Sequence, residues 1–180
     1  MAIIVVGGSG RGAGKTALIC GLIRALPELP WTAVKITSHA HGVAEPVFEE
    51  TVAGHGTDTG RYLAAGARRA LLVKAHEDTY SSLLRTILDE QSPQSNLVFE
   101  SNSVLNHLRP SLCLAVATRL QGGHKASYEL VERCMDASVA LGGHDHVIPG
   151  ERIHFHLQSL ERISPPMIAW LRERLEGTAG

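Results

Sequence analysis

The segment Gly7-Gly8-Ser9-Gly10-Arg11-Gly12-Ala13-Gly14-Lys15-Thr16 gathers the residue types that hold a polyphosphate. Glycines let a backbone fold around an anion and turn successive N–H groups inward. A helix starting where the loop ends adds its own unpaired N–H groups and the positive end of its dipole. Lys15 then offers a compact charge to β- and γ-phosphates, and the Thr16 hydroxyl an oxygen ligand to magnesium. Gly12, Ala13, Gly14 and Ala17 are expected to give backbone N–H groups, with Gly10 and Arg11 completing the nucleotide-binding loop. The spacing G-x-x-x-x-G-K-[ST] asks for glycine five residues before Gly14, where this chain has Ser9. Neighbouring Gly8, Gly10 and Gly12 keep the loop pliable, so the expected change is confined to its entry turn. A dinucleotide-type glycine turn would not account for a lysine and a hydroxyl together at the start of a helix.

A site of this kind needs an acidic residue at the end of another strand. Asn96-Leu97-Val98-Phe99-Glu100 ends on one, and Glu100 is the candidate for ordering magnesium and its water or activating an attacking water. The competing reading is a surface glutamate that begins a turn. Lys35 ends a second apolar run and should point to the same crevice, since ligands sit beyond the carboxyl ends of strands in open α/β sheets. In Gly56-Thr57-Asp58-Thr59-Gly60-Arg61, Asp58 is a magnesium candidate or a helix cap. Arg61 is a phosphate contact or part of a solvated face, and Arg11 and Arg61 are the candidates for an arginine that meets transition-state charge. His39 and His41 alternate in a way that suits a metal, as do His144 with His146 and His154 with His156, but two histidines do not make a site. No serine–histidine–acid set or carboxylate pair can be read from spacing.

These residues need a scaffold, and the chain supplies short β-rich runs alternating with helical patterns. Strands are expected at 2–6, 31–37, 70–74, 96–100, 112–117 and 137–141, with an edge strand at 153–157. Helices are expected at 15–26, 57–65 and 125–135, after Asp78 as a cap, and from Pro165-Pro166 through Leu175. Residues 38–56 read as one long loop carrying three histidines and three glutamates, a length typical of functional loops. The expected fold is α/β: one doubly wound, mostly parallel sheet flanked by helices, forming a single nucleotide-binding domain over residues 1–180.

Composition narrows the partners. Seventeen basic against 18 acidic residues, with no basic cluster and 4% aromatics, leave no footprint for nucleic acid. No apolar stretch approaches the roughly 20 residues that span a bilayer, and the start of the chain lacks a secretory pattern. Cys20, Cys113 and Cys134 show no ligand spacing and read as buried free thiols, which suits the cytoplasm.

With these residues laid out, the chain resembles the molybdopterin-guanine dinucleotide biosynthesis protein B (MobB) family of P-loop NTPases over about its first two-thirds. Residues 10–18 match that family's phosphate loop. Val34-Lys35 followed by His39-Ala40-His41-Gly42 looks like its second-strand motif, and residues 56–67 resemble its G-x-D-[ST]-x-R segment with the following A-G-A. Leu97-Val98-Phe99-Glu100 stands where the family has a strand ending in Glu-Gly, but Ser101-Asn102-Ser103 replaces the family's continuation. The C-terminal third does not follow the pattern, and a guanine-reading Asn-Lys-x-Asp is missing. The loop residues themselves allow GTP or ATP with Mg2+; the resemblance implies GTP, slow hydrolysis at most, a homodimer, and an accessory role beside a molybdopterin nucleotidyltransferase. The alternative is an ATP-dependent small-molecule kinase or ligase resembling dethiobiotin synthetase.

Overall fold

The structure, a computed structural model, describes residues 1–37, 46–117, 126–142 and 152–176. The uniformly apolar run near the start of the chain becomes β1 (Ile3–Gly8), an interior strand of an eight-stranded sheet. The others are β2 (Trp31–Thr37), β3 (Val47–Glu49), β4 (Arg69–Lys74), β5 (Asn96–Glu100), β6 (Leu112–Ala117), β7 (Ala137–Leu141) and β8 (Ile153–Leu157). Their order across the sheet is β3-β4-β2-β5-β1-β6-β7-β8. Every neighbouring pair is parallel except β3 with β4. Parallel strands need crossovers, and the helices α1 (Lys15–Ala25), α2 (Asp58–Ala65), α3 (Tyr80–Asp89), α4 (Tyr128–Cys134) and α5 (Pro165–Glu176) cover both faces of the sheet.

Strand alternation sorts the core into two sides. Ile4, Val6, Ala33 and Val98 share a cluster with Leu18, Leu22 and Ile23 of α1, Tyr62 of α2 and Met167 and Leu171 of α5. Their strand neighbours Val5, Val34 and Phe99 pack instead with Tyr80, Leu84 and Ile87 of α3. Cys113 and Ala115 meet Tyr128, Val131 and Met135 around α4. Two-sided burial is why these strands read as unbroken apolar runs.

The expected strands and helices are present, with four differences. Residues 47–49, read as loop, add the short antiparallel edge strand β3, whose three residues carry no periodic signal. Asp78 does not cap α3: it lies in a 3-10 turn (Glu77–Thr79), and the helix begins at Tyr80 after Thr79, with no side-chain cap bond. A further 3-10 turn, Ser103–Asn106, follows β5. Cys20 and Cys113 are buried as expected, but Cys134 is exposed, because Met135 at the end of α4 takes the place against Cys113. Desolvation pushes the buried Cys113 thiol up to about 12, which makes it inert at neutral pH. The expected helix start at residue 125 and most of the histidine-bearing loop lie outside the described residues.

α1 is held from outside by residues 159–162, where Glu161 pairs with Arg24 at 2.9 Å and with Arg61 at 3.0 Å. At Gly21 this segment comes so close that an added Cβ would lie 2.5 Å from the Leu160 carbonyl oxygen and 3.1 Å from Glu161 Cα. Gly21→Ala should therefore destabilise by about 1–3 kcal/mol through overpacking, although alanine alone would favour the helix by about 1 kcal/mol. Urea denaturation measures this, and an unchanged midpoint would mean that the segment simply moves aside.

Candidate functional site

Register brings the chemistry together before any loop is considered. Glu100 of β5 stands beside Val6 of β1 and beside Lys35 of β2. Both side chains therefore project from the carboxyl ends of adjacent strands, on the side that α1 and α2 cover. Glu100 is only 6% exposed, so its charge must be matched by partners. Lys35 Nζ donates to Glu100 Oε1 at 3.0 Å, and the Thr16 hydroxyl donates to Oε2 at 2.7 Å. The hydroxyl of Tyr62, fully buried on α2, also donates to Oε2. Lys35 Nζ makes a second ion pair with Asp58, whose other oxygen lies 4.0 Å from Arg61 Nη1.

This setting moves two proton affinities. Burial by itself would lower the Lys35 ammonium, but the charge of Glu100 and the hydrogen bonds to Asp58 and Glu100 outweigh it and hold Lys35 above an ordinary lysine. Burial, then the adjacent Glu100 charge, hold the Tyr62 phenol well above its usual range. Lys35 is thus a cation and Tyr62 a neutral donor at physiological pH.

The glycine loop runs from β1 into α1. Gly14 has φ of 95°, and a Cβ there would meet Leu160 Cδ1 at 2.2 Å, so only glycine fits at this turn into the helix. Ser9 is buried, and no described residue other than glycine has a positive φ. The missing consensus glycine is thus replaced without backbone strain. The loop's entry is held by Asn102, which accepts from Gly8 N–H and donates to the Gly8 carbonyl, both at 2.9 Å. Lys15 Nζ donates to the carbonyl of Gly10 within the loop at 2.8 Å.

A crevice of about 750 Å3 opens over these groups, lined by residues 10–17 together with Lys35, Asp58, Arg61, Glu100 and Asn102. The expected site residues Gly10, Arg11, Gly12, Ala13, Gly14, Lys15, Thr16, Ala17, Asp58 and Glu100 all border it. Thr16 and Glu100 place a hydroxyl and a carboxylate side by side, a donor set that suits magnesium with phosphate and water. Asp58 lies across the Lys35 ammonium from Glu100 and serves that cation; Thr57, not Asp58, caps α2 by accepting from Gly60 N–H at 2.9 Å.

Of the histidine pairs, only His154 and His156 fall among the described residues, and neither lines the crevice. His154 binds Ser138 on the neighbouring strand at 2.6 Å, and no group of three His, Cys, Asp or Glu that could hold a metal occurs among the described residues. His39, His41, His144 and His146 lie outside the described residues. Two contributors were not anticipated. Tyr62 follows Asp58 by four residues, so helical spacing alone puts both on one face of α2. Asn102 carries no spacing signal, because its role depends on how the turn after β5 folds back onto Gly8.

Among the described residues, no helix is long and apolar enough to cross a membrane. No protein-family profile matches the chain, and no curated protein matches its sequence. Among solved structures, the chain is similar to the Aquifex aeolicus LpxK in complex with ATP, at 19% identity and a TM-score of 0.51. That match covers 87% of this chain but 53% of LpxK, so the chain spans about half the length of that protein. It is also similar to Bacillus subtilis MobB, at 16% identity and a TM-score of 0.51, over 97% of this chain and 98% of MobB. The sheet order, the glycine loop leading into α1 and these likenesses agree on one architecture, the α/β fold of P-loop NTPases.

Proposed function

We propose that this chain binds a nucleoside triphosphate with Mg2+ in the loop crevice and acts as a weak NTPase accessory factor in molybdenum-cofactor biosynthesis. The observation that carries the nucleotide part is the Thr16–Glu100 hydrogen bond at the foot of the glycine loop, with Lys15 in the same loop. The loop N–H groups and α1 dipole would hold the phosphates, and Lys15 would neutralise the terminal ones. Thr16 and Glu100 would hold the magnesium, which supplies charge neutralisation at the transferring phosphoryl group. Lys35 pairs with Glu100, Tyr62 fixes its orientation, and Asn102 holds the loop entry in register with β5. The pathway assignment rests on the motif resemblance to the MobB family and on the fold likeness over nearly the whole of both chains. On this reading the protein works as a single domain in the cytoplasm, as a homodimer, beside a molybdopterin nucleotidyltransferase.

A second reading, transfer of the γ-phosphoryl group to a small acceptor as in an ATP-dependent kinase or ligase, is favoured by one observation. The crevice continues past the loop to the hydroxyls of Ser101 and Ser103 and to a neighbouring cavity that shares Lys35 and Asp58. Acceptor-stimulated hydrolysis would separate the two readings.

Lys15→Ala should weaken Mg–nucleotide binding by about a hundredfold or more while leaving the fold intact, measured by calorimetric titration with GTP and with ATP. Wild-type affinity in this variant would refute the phosphate-loop assignment.

The network under the crevice has its own test. Removing the cation in Lys35→Met leaves the buried Glu100 carboxylate short of a partner, at a cost of about 3 kcal/mol. Tyr62→Phe should cost about 1–3 kcal/mol, as for a hydrogen bond to a charged group. Both folded-state proton affinities are raised, so their stabilisation is fully present below the unfolded values of 10.5 and 10.0 and is lost as pH rises through the folded ones. Thermal melts from pH 7 to 11.5 should show a wild-type decline above about pH 10 that is shallower in each variant. Parallel curves for all three proteins would exclude this linkage.

A further inference from the structure

A second cavity, of about 500 Å3, lies beside the phosphate crevice and shares Lys35 and Asp58 with it as a common wall. Its floor follows from register. Phe48 of β3 faces Leu72 of β4, Leu72 faces Lys35 of β2, and Lys35 faces Glu100, so one row of side chains runs from the sheet edge to the phosphate site. Phe48 is 53% exposed and offers a flat aromatic surface next to the Leu72 side chain.

The charges around the cavity are not equally available. Glu50 accepts from the backbone N–H groups of Thr51 and Val52 at 3.2 and 3.1 Å, and from the hydroxyls of Thr57 and Thr59 at 3.0 and 3.2 Å. Its lone pairs are therefore taken within the protein. Asp58 is engaged by Lys35 and Arg61. Lys74, exposed at the carboxyl end of β4, is the lining ion that has no partner of opposite charge among the described residues. An apolar, partly aromatic floor beside a cation that is unpaired among the described residues selects for a molecule with matching parts.

We propose that this cavity is a ligand site for a small molecule with a flat apolar body and one anionic group, the body against Phe48 and Leu72 and the anion at Lys74. Its other end abuts the Lys35–Asp58 wall, so a bound molecule lies next to the phosphates of a nucleotide in the adjoining crevice. Binding itself follows from the cavity, while the role as the partner of a phosphate-bearing ligand rests on the nucleotide reading above. Neither Phe48 nor Lys74 lines the phosphate crevice, so the two sites can be tested separately.

The probe is 2-naphthoate, with uncharged 2-naphthalenemethanol as control, followed by ligand-observed NMR titration of the wild type and of Phe48→Ala and Lys74→Ala. Naphthoate should bind the wild type more tightly than the alcohol. Its affinity should fall about fivefold in Lys74→Ala, the worth of one exposed charge pair, and about tenfold in Phe48→Ala. Both variants should keep wild-type affinity for Mg–nucleotide. No naphthoate binding to the wild type, or equal binding to wild type and both variants, overturns the proposal. A lower mass of Phe48→Ala by light scattering also overturns it, since Phe48 would then belong to an interface between copies. Naphthoate binding without nucleotide binding would leave this site standing and remove the nucleotide reading; the converse result would do the opposite.

Discussion

A carboxylate buried at the end of an inner strand is the constraint around which this site is built. Taking such a charge out of water costs several kcal/mol, and only good geometry from several partners offsets it. Glu100 draws those partners from three different elements: Lys35 from the end of β2, Thr16 from the first turn of α1, and Tyr62 from the second turn of α2. Each partner is fixed by its own element, so satisfying one oxygen pair also sets where β2 ends and how two helices seat on the sheet. The carboxylate is a structural pin as well as a candidate ligand.

The glycine loop depends on the same frame. Its start is strand β1, its end is helix α1, and its shape in between comes from two left-handed glycines, Gly12 and Gly14. Asn102 ties Gly8 to the turn that follows Glu100, so the loop is registered to β5 as well as to the strand it leaves. Charge follows the same economy. Lys35 sits between Glu100 and Asp58, and its charge offsets the repulsion between the two acids.

The features legible in the sequence were those carried by local pattern. β1, β5 and β6 read correctly because two-sided burial writes unbroken apolar runs, and α1 because a lysine and a threonine follow the glycines. Glu100 and Lys35 could be placed at strand ends, but their contact could not be seen, since it depends on β5 lying between β1 and β2. That strand order is a property of packing, not of any one segment. β3 has no signal in the sequence because three residues at an edge carry no period, and its pairing with β4 is what positions Phe48. The residue type of Asp78 suits a cap, but it lies in a 3-10 turn ahead of α3. Ser9 departs from the consensus in residue type alone, since the backbone there needs no positive φ.

Lys15 and Thr16, the two side chains assigned to phosphate and metal under the nucleotide reading, both have partners inside the protein. The Thr16 hydroxyl gives its one hydrogen to Glu100, so its oxygen keeps only lone pairs for a ligand. Lys15 carries three hydrogens, of which the Gly10 carbonyl takes one. On the nucleotide reading, the first group would meet only an electron-pair acceptor such as a metal ion, and the second only an acceptor oxygen, without either giving up its contact inside the protein. The direction of two internal hydrogen bonds would thus sort cation from anion in the crevice before any base or acceptor is read.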